Sequence, residues 1–261
     1  MHRFYLPPCR AEVQNQGGSE PCQDSTLFLT GREAHHALHV LRLRRADRVS
    51  VLDGQGLESL CEVRQYDRDK VSLAVVEKNL QPPPLARITL LQAVPKGKII
   101  ESIIQKATEL GVSRIVPLIS ERVVPEFGGK DAARKAAKWQ TVAIEAIKQC
   151  GSAWLPQVEP PLTPEQFLAR GEKFELPLVA SLQSDSQHAR GYFRAFHAER
   201  GRAPDTIAIW VGPEGDFTPA EIAAMKSAGA MPITLGPLVL RSETAAVYCL
   251  SVLNYELQAR D

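Results

Sequence analysis

Two glycine-bearing stretches in the C-terminal part of the chain hold the residues best suited to ligand chemistry. The first, Trp210-Val211-Gly212-Pro213-Glu214-Gly215-Asp216-Phe217-Thr218, follows a strand-like run and leads into a threonine–proline helix start. Gly212 and Gly215 let main chain approach a ligand closely, and Pro213 stiffens the turn. The spacing is neither G-x-G-x-x-G nor a Walker A loop, so dinucleotide and P-loop nucleotide binding lose their usual support. The second stretch, Leu235-Gly236-Pro237-Leu238-Val239-Leu240-Arg241-Ser242-Glu243-Thr244-Ala245, repeats the order of strand, glycine turn and helix start. Arg241 places a full positive charge beside that turn, and Glu214 and Glu243 are carboxylates available for moving a proton. Ser242 or Thr244 would cap the helix, and Glu243 would favour its positive end. Either loop alone reads equally well as an ordinary tight connection. Set about 20 residues apart, as successive strand ends of one sheet would be, they read together as a ligand site.

Strands must end at these loops and helices must begin after them. Gln81-Pro82-Pro83-Pro84-Leu85 reads as a linker, because consecutive prolines stop both helix and sheet. Beyond it, strands are expected at 88–94, 114–119, 178–182, 207–211 and 233–235, with helices between them, among them 98–110, 130–149 and 243–258. Thr163-Pro164-Glu165-Gln166 and Thr218-Pro219-Ala220-Glu221 share one helix-start signal: cap threonine, proline, then a capping acceptor. Such alternation predicts an α/β domain over 85–261, with a mainly parallel sheet covered on both faces. Before the linker, strand-like runs at 49–52, 57–65 and 71–76 are separated by Asp53-Gly54-Gln55-Gly56 and Asp67-Arg68-Asp69-Lys70 turns. A short helix capped by Thr30 and Glu33 accompanies them, and a small β-barrel over 1–80 accounts for this pattern.

Composition narrows the class. Of 261 residues, 44% are hydrophobic, which supports a buried core. The 31 basic and 30 acidic side chains nearly cancel, which excludes a histone-like basic protein and an acidic disordered chain. Residues 81–150 nonetheless carry 11 basic against 6 acidic groups, and 151–261 carry 9 against 13, so a polyanion-facing surface is expected on the middle of the chain. The N-terminal residues lack the apolar core of a signal peptide, no run is long enough for a membrane helix, and Cys9, Cys22, Cys61, Cys150 and Cys249 are scattered. A cytoplasmic protein with reduced thiols and no membrane partner is expected. His35 and His39 share a helix face, yet no neighbouring cysteine or acid completes a metal site, so no metal is assigned.

The glycine–proline–glutamate–glycine loop, the Leu-Arg-Ser-Glu-Thr-Ala stretch and the distance between them resemble the SPOUT superfamily of methyltransferases. More closely, the chain resembles the bacterial ribosomal RNA small-subunit methyltransferase E family, which forms N3-methyluridine in 16S ribosomal RNA. Lys106-Ala107-Thr108-Glu109-Leu110-Gly111, Ser120-Glu121-Arg122-Val123-Val124, Ala143-Ile144-Glu145-Ala146-Ile147-Lys148-Gln149, Arg3-Phe4-Tyr5 and His35-His36-Ala37-Leu38-His39-Val40-Leu41-Arg42 carry the likeness over almost the whole chain. The resemblance implies a PUA-like RNA-binding β-barrel followed by a trefoil-knotted α/β domain that forms a homodimer and binds S-adenosylmethionine. It implies cofactor contacts from Leu182, Gly212, Glu214, Gly215, Leu235, Gly236 and Leu240, with Arg241 in the chemistry and Glu243, in preference to Glu214, as the carboxylate for proton removal. Arg3, Arg42, Arg44, Arg45 and Arg122 would face the partner, 16S ribosomal RNA or the small ribosomal subunit. Three positions depart from the family pattern: Asp216 and Ala46 stand where glycine is usual, and Ser152-Ala153-Trp154 stands where many members carry arginine. Ribose 2′-O methylation and non-catalytic RNA binding are the competing functions.

Overall fold

The two-residue period before the linker becomes a curled five-stranded sheet. The computed structural model describes residues 1–8, 26–122, 129–183 and 185–258, so Cys9, Cys22, Val123 and Val124 lie outside the described residues. In the first of its two units, β1 (His2–Tyr5), β2 (Thr26–Thr30), β3 (Arg48–Leu52), β4 (Leu57–Tyr66) and β5 (Lys70–Leu80) pair in the order β1-β3-β4-β5-β2. Only β1 and β3 run parallel. Register shifts at Leu60/Cys61 and Val63/Gln65 curl β4, as bulges do. Phe4, Leu29, Val49, Cys61, Val63, Val71 and Leu73 fill the concave side, and each fully buried large side chain contributes about 1.5–3 kcal/mol.

α1 (Gly31–His35) continues into one π-helical turn, His36–Val40, and covers this core with Ala34 and Ala37. The expected capping box is not formed: the Thr30 side chain makes no cap bond. Glu33 instead lies 2.9 Å from Lys148 in a largely buried ion pair, and a buried charge needs such a partner more than a helix end needs a cap. Lys148 belongs to this unit because residues 147–155 pack here rather than with the chain around them. Ile147 and Ala153 are buried with Leu52, and the Gln81 amide bonds Ala153 N at 2.8 Å and Gly151 O at 3.0 Å. The Trp154 indole donates to the Pro82 carbonyl at 2.9 Å. Gln81 and Pro82 are therefore pinned, and the division between the units falls after Pro83.

In the second unit, β6 (Arg87–Ala93), β7 (Arg114–Leu118), β8 (Gln157–Val158), β9 (Leu176–Ala180), β10 (Thr206–Val211) and β11 (Met231–Ile233) form an all-parallel sheet ordered β11-β9-β10-β6-β7-β8. The helices are α2 (Ile99–Glu109), α3 (Gly129–Cys150, whose residues from Ile147 on belong to the first unit), α4 (Pro164–Leu168), α5 (Ala189–Arg200), α6 (Pro219–Ser227) and α7 (Ser242–Gln258). Both threonine–proline starts form complete capping boxes, at Thr163 and Thr218. The central strands are buried along their length, as sheets covered on two faces require. Trp210, Phe167 and Phe217 meet edge-to-face in one core, with Trp210 and Phe167 ring centres 5.3 Å apart. Leu250 and Leu253 of α7 are fully buried.

The two glycine loops do leave successive strands of one sheet. β10 and β11 are not adjacent, because β9 lies between them. The chain steps from β9 toward β6 to lay down β10, then returns across β9 to place β11. Crevices at such reversals are where open parallel sheets bind ligands. Among the described residues, no helix is long and apolar enough to cross a membrane.

Candidate active site

At the carboxyl ends of β9, β10 and β11, three loops enclose a cleft with about 510 Å³ of empty space, part of it open to solvent. The loop after β9 supplies Ser181 and Leu182, and the loop after β10 supplies Gly212, Pro213, Glu214 and Asp216. The loop after β11 contributes Leu235, Gly236, Leu238, Val239 and Leu240, and the head of α7 adds Ser242 and Ala245.

Each loop is anchored into the fold. Phe217 is 2% exposed and drives the end of the β10 loop into the core beside Trp210. The Thr218–Glu221 box then starts α6, and the buried Glu221 also accepts from the Glu121 backbone at 2.9 Å. Gly212 sits against the turn it opens, and an added Cβ would meet Asp216 Oδ1 at 3.0 Å and Asp216 Cα at 3.2 Å. Gly236 adopts φ +104°, a conformation that side-chain-bearing residues rarely hold.

The Ser242 hydroxyl does not cap its own helix. It donates to the Gly212 carbonyl at 2.8 Å and accepts from buried Gln92 Nε2 at 2.9 Å, tying β6, the β10 loop and α7 together. Behind them, burial pushes the Cys249 thiol up to about 12, which removes it as a nucleophile.

Six of the seven residues expected at the cofactor line this cleft: Leu182, Gly212, Glu214, Leu235, Gly236 and Leu240. Gly215 does not; its carbonyl accepts from the guanidinium of Arg122, an exposed residue that thereby braces the loop. Arg3 is likewise engaged, donating to the Lys148 and Gln149 carbonyls at 3.3 and 3.1 Å, where a helix C-terminus attracts a cation. Arg42, Arg44 and Arg45 are exposed. Arg241 is exposed at the head of α7 between the lining residues Leu240 and Ser242, and forms no ion pair among the described residues. Glu243 lies in the first turn of α7 and is not a lining residue. Sequence reasoning missed Leu238 and Val239, although two successive apolar residues in a glycine–proline loop, 73% and 71% exposed, signal a ligand-facing surface. Asp216, singled out only as a departure from the family pattern, also lines the cleft.

A family model for an RNA methyltransferase domain matches residues 81–254, and one for an RNA methyltransferase PUA domain matches 29–76. The ribosomal RNA small subunit methyltransferase E of Bacillus subtilis is 31% identical, over 99% of this chain and 98% of its own length. The protein of that name from Synechocystis is 33% identical over 90% of this chain and 75% of its own. Among solved structures, a putative methyltransferase from Legionella pneumophila in complex with bound S-adenosylmethionine superposes with TM-score 0.82 and 30% identity, covering 97% of each chain. The Neisseria gonorrhoeae ribosomal RNA small subunit methyltransferase E, bound to S-adenosylmethionine, superposes with TM-score 0.80 and 26% identity over 98% of this chain and 97% of that one. A PUA unit before a parallel-sheet methyltransferase unit, matched end to end, places this chain in the ribosomal RNA small subunit methyltransferase E family.

Proposed function

We propose that the cleft binds S-adenosylmethionine and that the enzyme methylates a uridine N3 of 16S ribosomal RNA. The observation that carries this reading is the cleft itself. Gly212 and Gly236 expose main chain, Leu182, Leu238 and Val239 offer apolar surface for an adenine, and the ionisable lining residues, Glu214 and Asp216, are both acidic. That set fits a ligand with an aromatic end and cationic sulfur and amino groups. When bound, the cofactor supplies an activated methyl group. The protein must hold uracil N3 in line with it and assist loss of the N3 proton. Glu214, which lines the cleft where Glu243 does not, replaces Glu243 as the carboxylate set to take that proton. Arg241 stabilises the charge that grows on the uracil carbonyl oxygens. Mass analysis of nucleosides from small-subunit RNA incubated with enzyme and cofactor tests the reading. N3-methyluridine is expected, and a 2′-O-methyl nucleoside or no product overturns it.

The first unit serves RNA through Arg42, Arg44 and Arg45, which follow the π-helical turn, and Lys96 and Lys98 are exposed on the connection leaving β6. Reversing Arg44 and Arg45 to Glu is expected to weaken RNA binding and to lower the salt slope by about 0.7–0.9 for each phosphate no longer neutralised. S-adenosylmethionine affinity, read by calorimetry, should be unchanged; parallel losses would refute the assignment.

A second copy of the chain covers one face of α7. Val247, Tyr248, Val252 and Tyr255 line a shallow apolar groove there, with Tyr248 44% and Tyr255 63% exposed. Leu250 and Leu253 face the core and take no part. Light scattering at micromolar concentration should give a dimer mass, which Tyr255→Glu shifts toward the monomer; a monomer in the unaltered protein contradicts the assembly. In the family's manner, the loop after β11 belongs to a trefoil knot.

A further inference from the structure

Asp216 holds φ +62°, a left-handed conformation that favours glycine. Aspartate is among the few other residues that visit this region, because its side chain can bond locally. Here Oδ1 accepts from Phe217 N at 2.8 Å, and Oδ2 reaches Leu182 N at 3.5 Å, linking the loops after β10 and β9. The second contact is long, so Oδ2 keeps most of its capacity to interact with another group. Asp216 and Glu214 line the cleft, no lysine, arginine or histidine does, and neither carboxylate forms an ion pair among the described residues. The ionisable side chains that line the site are thus both acidic, and the cations beside it, Arg122 on the Gly215 carbonyl and Arg241 ahead of Ser242, are not lining residues.

We infer that Asp216 is a charge-selecting residue that favours the cationic cofactor over the neutral-sulfur product; this rests on the cleft being the S-adenosylmethionine site. Methyl transfer breaks the S–CH3 bond and forms N3–CH3. The sulfur keeps the bonding electron pair and changes from sulfonium to thioether, while the N3 proton passes to a base. The bound molecule thereby loses one positive charge, and a carboxylate lining the cleft holds it less tightly afterwards. Compared with a glycine at this position, Asp216 would speed product exit and relieve product inhibition.

Calorimetric affinities for S-adenosylmethionine and S-adenosylhomocysteine test this in the unaltered protein, Asp216→Asn, Asp216→Gly and Gly236→Val. Asparagine keeps the acceptor oxygen and tolerates the left-handed backbone, so it removes charge with little change of shape; glycine removes the strap as well. In Asp216→Asn, affinity for the cofactor should fall by about tenfold, with the product changed by less than about twofold. Asp216→Gly should show the same loss of discrimination and melt no lower than the unaltered protein. Equal losses for both ligands, or an unchanged ratio, overturn charge selection and leave Asp216 as a strap alone. If Gly236→Val binds both ligands normally, the cofactor lies elsewhere, and that different failure removes the basis of the inference.

Discussion

Gly236→Val is expected to abolish S-adenosylmethionine binding, lowering affinity by at least about 100-fold, while the protein stays folded. At φ +104°, a β-branched residue is a severe backbone outlier, so valine would force the chain toward negative φ. No heavy atom outside its chain neighbours lies within 4 Å of an added Cβ, so the strain comes from the backbone conformation and not from a clash at Cβ. The resulting shift passes to Leu235, Leu238, Val239 and Leu240, which follow or precede the turn and line the cleft. The turn is exposed and the core beneath it unchanged, so melting temperature should move by only a few degrees, as for a roughly 1 kcal/mol change. Calorimetry and thermal melting on one preparation check this. Binding within threefold of the unaltered protein would place the cofactor away from this loop.

Arg241→Ala is expected to separate binding from chemistry. Its neighbours Leu240 and Ser242 line the cleft, while Arg241 itself is exposed and forms no ion pair among the described residues that would make it a loop anchor. Its target is charge that appears on uracil as N3 loses its proton, so cofactor affinity and melting temperature should be close to normal. Single-turnover methylation should slow by roughly 10²-fold or more, the scale for losing one positioned charge stabiliser. A rate that falls only as far as cofactor binding falls would assign Arg241 to the loop and not to the reaction.

Much of the machinery is legible because it is local. A capping box involves residues three apart, and Thr163 and Thr218 form theirs as the spacing predicts. Strand and helix periods place the glycine loops at strand ends, since burial on two faces leaves continuous apolar runs. Ala46 and Asp216, at positions where the resemblance implies glycine, occupy φ +73° and +62°, a region glycine enters without strain. Position 152–154 differs: Trp154 bonds the Pro82 carbonyl and lies against Gly56, where an added Cβ would come within 2.5 Å of the indole.

By itself, the sequence determined the α/β class, the two glycine loops, the family and six of the residues that line the cleft. Tertiary structure alone decided what those elements touch. β9 separates β10 from β11 because strand order follows from which apolar edges pack, and that is a long-range choice. Thr30 and Ser242 both look like helix caps, yet the Thr30 side chain caps nothing and the Ser242 hydroxyl serves a carbonyl 30 residues away in the chain. Arg3 and Arg122 look like free cations, yet both close on backbone carbonyls. A polar side chain's partner is whichever group the folded chain leaves unsatisfied within reach, and sequence spacing does not encode that distance.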